Sequence, residues 1–121
     1  MAITFVNVKV SNPAKPKKSA THEFLIDSGA VYSVLPAKKL KALGIKPTST
    51  REFMLANGEK IKKQVGNAFF EFEGMTGAAT IIFGDEGVYL LGATTLESLG
   101  LILDPINRVL KALPMVLMPL R

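Results

Sequence analysis

Phe24-Leu25-Ile26-Asp27-Ser28-Gly29-Ala30 constrains the fold of this chain more than any other stretch. An apolar run delivers one carboxylate into a tight Ser-Gly turn, and a second β-rich run over residues 31–35 follows at once. Strands entering and leaving would enclose Asp27, and an unpaired carboxylate in such a place is costly. Gly29 allows a backbone that other residues resist. Asp27 could be an ordinary Asx-turn residue, but its enclosure favours a chemical role.

Around this turn the sequence reads mainly as β. Ile3, Phe5, Val8 and Val10 nearly alternate with polar residues and predict a strand over residues 3–10. Residues 11–20 hold Pro13, Pro16, Lys15, Lys17 and Lys18 and read as an exposed loop. A second strand over residues 21–26 runs into Asp27. Pro36 suits the first position of a helix. That helix continues over residues 37–43, with Leu40 and Leu43 on one face and Gly44 as its stop. It is too short to stand on propensity and needs packing.

Residues 51–55 and 59–65 are extended runs around Ala56-Asn57-Gly58. Asn-Gly favours a tight hairpin in which both residues take positive φ. Residues 66–73 and 78–83 form a further antiparallel pair around Gly74-Met75-Thr76-Gly77, and residues 84–87 a turn. Residues 88–92 read as a buried strand ending in Gly92, residues 94–99 as a second short helix stopped by Gly100, and residues 101–103 as a strand. Asp104-Pro105 is a turn, and residues 108–112 and 114–120 are extended and apolar. The two helices carry a weak repeat: Leu40, Leu43, Gly44 and Ile45 echo Leu96, Leu99, Gly100 and Leu101. Each copy follows a β segment that ends in a glycine turn, which points to a duplicated half-domain.

Taken together, Leu25-Ile26-Asp27-Ser28-Gly29-Ala30 with Ser33-Val34-Leu35, then a hairpin, then Val88-Tyr89-Leu90-Leu91-Gly92 with a helix after it, resemble the retropepsin-like aspartic peptidases. These are single-domain relatives of pepsin. The resemblance covers residues 3–105 in order and spacing. It implies a mainly β fold: a closed β-barrel half of the pepsin type with a flap hairpin and one or two short helices, acting as a homodimer. It makes Asp27 the catalytic residue and Ser28, Gly29 and Ala30 the supporting loop, with the Ser28 hydroxyl bonding across the two-fold axis. Leu25, Val34, Val88 and Leu90 match the walls of the substrate cleft, and Asn57 and Gly58 match the flap tip. Leu90-Leu91-Gly92 matches the segment threaded beside the catalytic loop.

The chain departs from the viral members at two positions. Many of them have an Asp after the Ala and an Arg after the second Gly, and the two pair. Here Val31 and Ala93 stand there, so both partners are missing and no orphan charge remains. Substrate preference should therefore differ from that of the viral enzymes.

One chain holds only one such motif, so a second copy must supply the partner carboxylate. Two carboxylates facing across a dimer axis cannot easily both ionise and would share a proton. The ionised member takes a proton from water, the water attacks the scissile carbonyl, and the protonated member donates to its oxygen. No metal or cofactor is required. The expected substrate is an extended peptide or protein segment bound as an added strand, with apolar residues flanking the cut bond. Residues 1–5 and 114–120 are the candidate dimer interface, because the family interleaves its terminal strands.

Composition fits this reading. At 121 residues the chain is expected to form one domain over residues 1–121. It has no Cys and a single histidine, which excludes disulfides, thiolate metal sites and a paired-histidine base. His22 reads as a solvated surface residue. There is no basic leader with an apolar core and no run of about 18 apolar residues. A cytoplasmic protein without a membrane partner is expected. The net charge of +5 comes partly from lysines at positions 15, 17 and 18, at 38, 39 and 41, and at 60, 62 and 63. No aromatic residues interleave with them as stacking platforms, so nucleic acid is not the expected partner. Two readings compete with the peptidase: a non-catalytic peptide-binding dimer on the same fold, and a small basic β-barrel that binds nucleic acid.

Overall fold

Strand β1 (Phe5–Asn12) turns Val8 and Val10 inward and Asn7 and Lys9 outward, as period-two alternation requires. In the computed structural model, which describes residues 4–113, it pairs antiparallel with β2 (Lys15–Ile26). The expected loop over residues 11–20 is therefore a hairpin, turning at Pro13-Ala14. Ala14 N–H donates to Asn12 Oδ1 in that turn, and Asn12 Nδ2 donates to the Leu43 carbonyl at 3.0 Å. Pro16 is tolerated because the β1–β2 register shifts between Ser11 and Asn12, leaving Pro16 in the irregular stretch.

The remaining elements are β3 (Ser33–Pro36), α1 (Ala37–Ala42), β4 (Ser49–Met54), β5 (Lys60–Phe72), β6 (Met75–Gly84), β7 (Leu90–Leu91), α2 (Ala93–Ser98), β8 (Leu101–Asp104) and β9 (Val109–Ala112). Seven strands make one sheet in the order β1-β2-β7-β3-β6-β5-β4. A further pairing of β1 with β5, Lys9 to Glu71 through Ser11 to Phe69, closes that sheet into a barrel. Strand β5 has two roles. From Val65 onward it pairs with β6 and closes the barrel, whereas Lys60–Gln64 pair with β4 alone and extend beyond it as a flap. The mainly β, pepsin-like half-barrel with a flap and two short helices is the fold expected from the sequence.

Both turns of this meander differ from expectation, in opposite directions. Asn57-Gly58 is part of a three-residue loop. Gly58 N–H donates to Leu55 O at 2.9 Å, Leu55 N–H to Glu59 O at 2.7 Å, and Gly58 has positive φ while Asn57 does not. The Asn57 side chain accepts from Glu59 N–H instead. The β5–β6 connection is the tight one: Phe72 faces Met75, and Glu73 and Gly74 both take positive φ. Gly77 lies within β6, where α2 needs its missing side chain: a Cβ there would stand 2.3 Å from Ser98 O.

The core is one cluster that includes Val8, Val10, Phe24, Leu35, Leu40, Phe70, Ile81, Leu91 and Leu96. Phe24 and Phe70 are fully buried, each contributing roughly 1.5–3 kcal/mol by leaving water. The two helices end alike. Leu43 and Leu99 are αR, Gly44 and Gly100 have φ of 74° and 72°, and the apolar positions of both copies enter the same core. His22 is half-buried against the Tyr89 ring, with centroids 5.5 Å apart, rather than solvated on the surface. Burial, then the nearby charge of Lys39, lowers its pKa. Among the described residues no helix is long and apolar enough to cross a membrane.

Candidate active site

Asp27 is the first residue past β2, and its placement follows from the strand that lies alongside. Strand β7 enters between β2 and β3, parallel to one and antiparallel to the other, with Leu90 opposite both Leu25 and Val34. The Asp27 amide donates to Leu91 O at 3.0 Å. The chain then folds back on itself: Gly29 N–H donates to Asp27 Oδ1 at 3.0 Å, and Ala30 N–H to Asp27 O at 3.1 Å. The first of these bonds orients the carboxylate. Asp27, Ser28 and Gly29 are exposed in the single chain, not enclosed by the flanking strands as the sequence suggests, because the loop begins where β2 ends. Among the described residues no side chain hydrogen-bonds or ion-pairs with Asp27.

The far side of the loop is fastened to α2. Ala93 N–H donates to Ala30 O at 2.7 Å, and the Thr94 amide and hydroxyl both donate to Val31 O, at 3.0 and 2.8 Å. Val31 and Ala93 carry no charge, and backbone bonds with the Thr94 hydroxyl make this connection. Gly92 permits the close approach: a Cβ on it would lie 2.6 Å from the Tyr32 carbonyl carbon and oxygen. Gly92 N–H donates to Ser33 Oγ at 3.0 Å, and Ser33 Oγ hydrogen-bonds Thr95 Oγ1, with both residues fully buried.

The sequence reading quotes Ser33 only as part of a motif and gives neither Ser33 nor Thr95 a role. The available signal was a hydroxyl on an otherwise apolar β-strand and another on the buried face of a helix. Removing one partner would leave the other unsatisfied in the core. Ser33→Ala should cost about 1–3 kcal/mol of unfolding free energy, measured by urea denaturation. The Ser33→Ala/Thr95→Val double variant should cost less than the sum of the two single variants. Additive costs would show that the two hydroxyls act independently.

Beside the loop lies an open groove of about 490 Å³. Gly29, Ala30, Val34, Val88 and Leu90 line it, and Tyr32, Phe53, Leu55, Ile61 and Ile82 add to its largely apolar wall. Leu25 shares the face of its register partner Leu90, but it opens on an adjoining depression with Phe5, Glu23 and Tyr89 rather than on the groove. Asn57 and Gly58 stand exposed at the flap tip and do not line the groove; Met54 and Leu55, at the base of that tip, do. Ser28 turns to a second hollow, formed with Ala93, Leu96, Leu101, Leu103 and Leu113.

The flap contributes more than apolar surface. Phe53 faces Ile61 and Arg51 faces Lys63 across β4–β5, so these four side chains share one face. Phe53 packs edge-on against Tyr32 at 6.2 Å. Arg51 hydrogen-bonds the Tyr32 hydroxyl, with its guanidinium carbon 5.4 Å from the ring centroid. Lys63 pairs with Asp85 at 2.9 Å, and both line the groove. Among the described residues no group of three or more His, Cys, Asp or Glu side chains could hold a metal ion.

Residues 6–95 match the family described as aspartyl protease. No curated protein matches the chain. Among solved structures, the solution structure of the protease of simian foamy virus (mac) is similar, with a TM-score of 0.53 at 16% identity, over 76% of this chain and 92% of that one.

Proposed function

The chain belongs to the aspartyl protease family, and from that premise we propose that it is an aspartic endopeptidase whose working form is a homodimer, with one Asp27 from each protomer. The observation that carries this reading is the exposed Asp27 carboxylate, oriented by Gly29 N–H at 3.0 Å, at the edge of an apolar groove. Acid–base hydrolysis of an amide by carboxylates needs two of them in different protonation states. Asp27 has no side-chain partner among the described residues, so a second copy supplies the other carboxylate. Repulsion between the two favours a shared proton. The ionised member deprotonates a water that attacks the scissile carbonyl, and the protonated one donates to the carbonyl oxygen. An extended peptide lies between the groove and the flap.

The apolar hollow beside Ser28, lined in part by Ile102, supports a dimer, as do exposed Ile106 and Val109 on the β8–β9 hairpin, because apolar surface left bare marks contact sites. Of the terminal segments expected at the interface, Thr4 and Phe5 belong to the described residues, and Phe5 is exposed. Residues 1–3 and 114–121 lie outside the described residues.

Cleavage of a mixed peptide library at mildly acidic pH tests the activity, and its dependence on protein concentration tests the dimer. Specific activity should fall on dilution as sedimentation shows dissociation, and two copies joined in tandem should keep their activity. Undiminished specific activity in a sample shown to be monomeric would rule out the shared site.

A further inference from the structure

Resting on the peptidase reading, we propose that Arg51 is a specificity-determining residue that selects substrates bearing a carboxylate side chain beside the apolar residue that fills the groove. Several observations converge on it. Alternation along β4 puts Arg51 on the same face as Phe53, which lines the groove. Its guanidinium is held on groove-lining Tyr32 by a hydrogen bond to the hydroxyl and by its position over the ring. Tyr32 is in turn braced edge-on by Phe53. The cation is thus fixed by uncharged partners at the rim of the groove.

The charges around it decide the preference. Lys63, directly across the hairpin from Arg51, is neutralised by Asp85. Glu52 points to the opposite face of β4, where it pairs with Lys60 at 3.8 Å. Arg51 has no carboxylate partner among the described residues, whereas Lys63, the other cation on this face of the flap, has one. A planar guanidinium with free N–H groups pairs with a carboxylate in a geometry that an ammonium does not reproduce. In an extended peptide, side chains two residues apart point to the same side about 6.6 Å from each other. The acidic side chain is therefore two residues from the apolar one. Val31 and Ala93 supply no charge of their own near the catalytic loop, which leaves Arg51 as the selective group.

The test is a peptide series with one fixed apolar anchor and Glu, Gln or Lys two residues away on either side. The full chain would be assayed as wild type, Arg51→Gln and Arg51→Glu. Wild type should favour Glu over Lys by about five- to tenfold in kcat/KM. Arg51→Gln should abolish the preference, and Arg51→Glu should invert it. The wild-type preference should shrink as salt is raised. Tyr32→Phe keeps the ring and removes the hydroxyl, so it should weaken the preference without inverting it.

Binding of the same peptides to the Asp27→Asn protein, followed by fluorescence polarisation, separates this proposal from the peptidase reading. A Glu preference in binding that Arg51→Glu inverts would uphold the role of Arg51 even with no cleavage by wild type. Equal treatment of Glu and Lys peptides by wild type, a preference unchanged in Arg51→Glu, or no binding of any peptide would overturn it.

Discussion

Replacing Asp27 with Asn should lower peptide cleavage by about 10³-fold or more while leaving the fold in place. Asn retains an oxygen that can accept from Gly29 N–H, the bond that Asp27 Oδ1 makes at 3.0 Å. The side chain is exposed, so the change in unfolding free energy should stay within about 0.5 kcal/mol. What disappears is the ability to take up and release a proton. A purely structural turn residue would show the reverse pattern, with altered stability and intact turnover. Mixing supplies a second readout. If each active site needs a carboxylate from both protomers, an equal mixture that exchanges subunits should fall to about a quarter of the wild-type rate rather than half. Equal cleavage by wild type and Asp27→Asn would refute the proposed chemistry, and strict halving on mixing would refute the shared site.

The parts of this molecule legible in its sequence are those set by local pattern. Alternation marks β1, and the paired Leu-x-x-Leu-Gly-aliphatic segments mark α1 and α2 with their glycine stops. The Asp27 loop and the Leu90-Leu91-Gly92 segment were both visible as motifs. What the sequence hid depends on contacts between distant segments. Gly77 reads as a turn glycine, yet it sits in a strand because the end of α2 lies against it. Glu73 carries no turn signal, yet it takes positive φ because β5 and β6 fix the register around it. Arg51 on an amphipathic hairpin gives no hint of a tyrosine nineteen positions earlier. Leu25 shows the same limit from the other side: the motif sets Leu90-Leu91-Gly92 beside the Asp27 loop, but which depression Leu25 opens on depends on Phe5 and Tyr89.

Gly92→Ala should damage the fold severely and at the Asp27 loop itself, although alanine is ordinarily mild. The backbone at Gly92 is extended, with φ of −96° and ψ of 175°, so alanine meets no conformational penalty there. The obstacle is steric. The added Cβ would lie 2.6 Å from the Tyr32 carbonyl carbon and oxygen and 3.0 Å from Ala30 O. These are backbone atoms and cannot rotate away. Relief requires β7 to separate from the segment entering β3, which strains the Gly92 N–H to Ser33 Oγ bond and the Ala93 N–H to Ala30 O bond. Overpacking that displaces backbone costs about 3 kcal/mol or more, a fall in Tm of about 10 °C for a domain of this size. Gly58→Ala is the informative contrast. Gly58 has φ of 88° and no atom within 4 Å of its would-be Cβ, so its cost is the left-handed backbone alone, about 1–2 kcal/mol. Because the same bonds position the loop that carries Asp27, any Gly92→Ala protein that folds should also lose cleavage. A Tm within about 2 °C of wild type, with full activity, would show that β7 and the Asp27 loop are not held together as tightly as this contact implies.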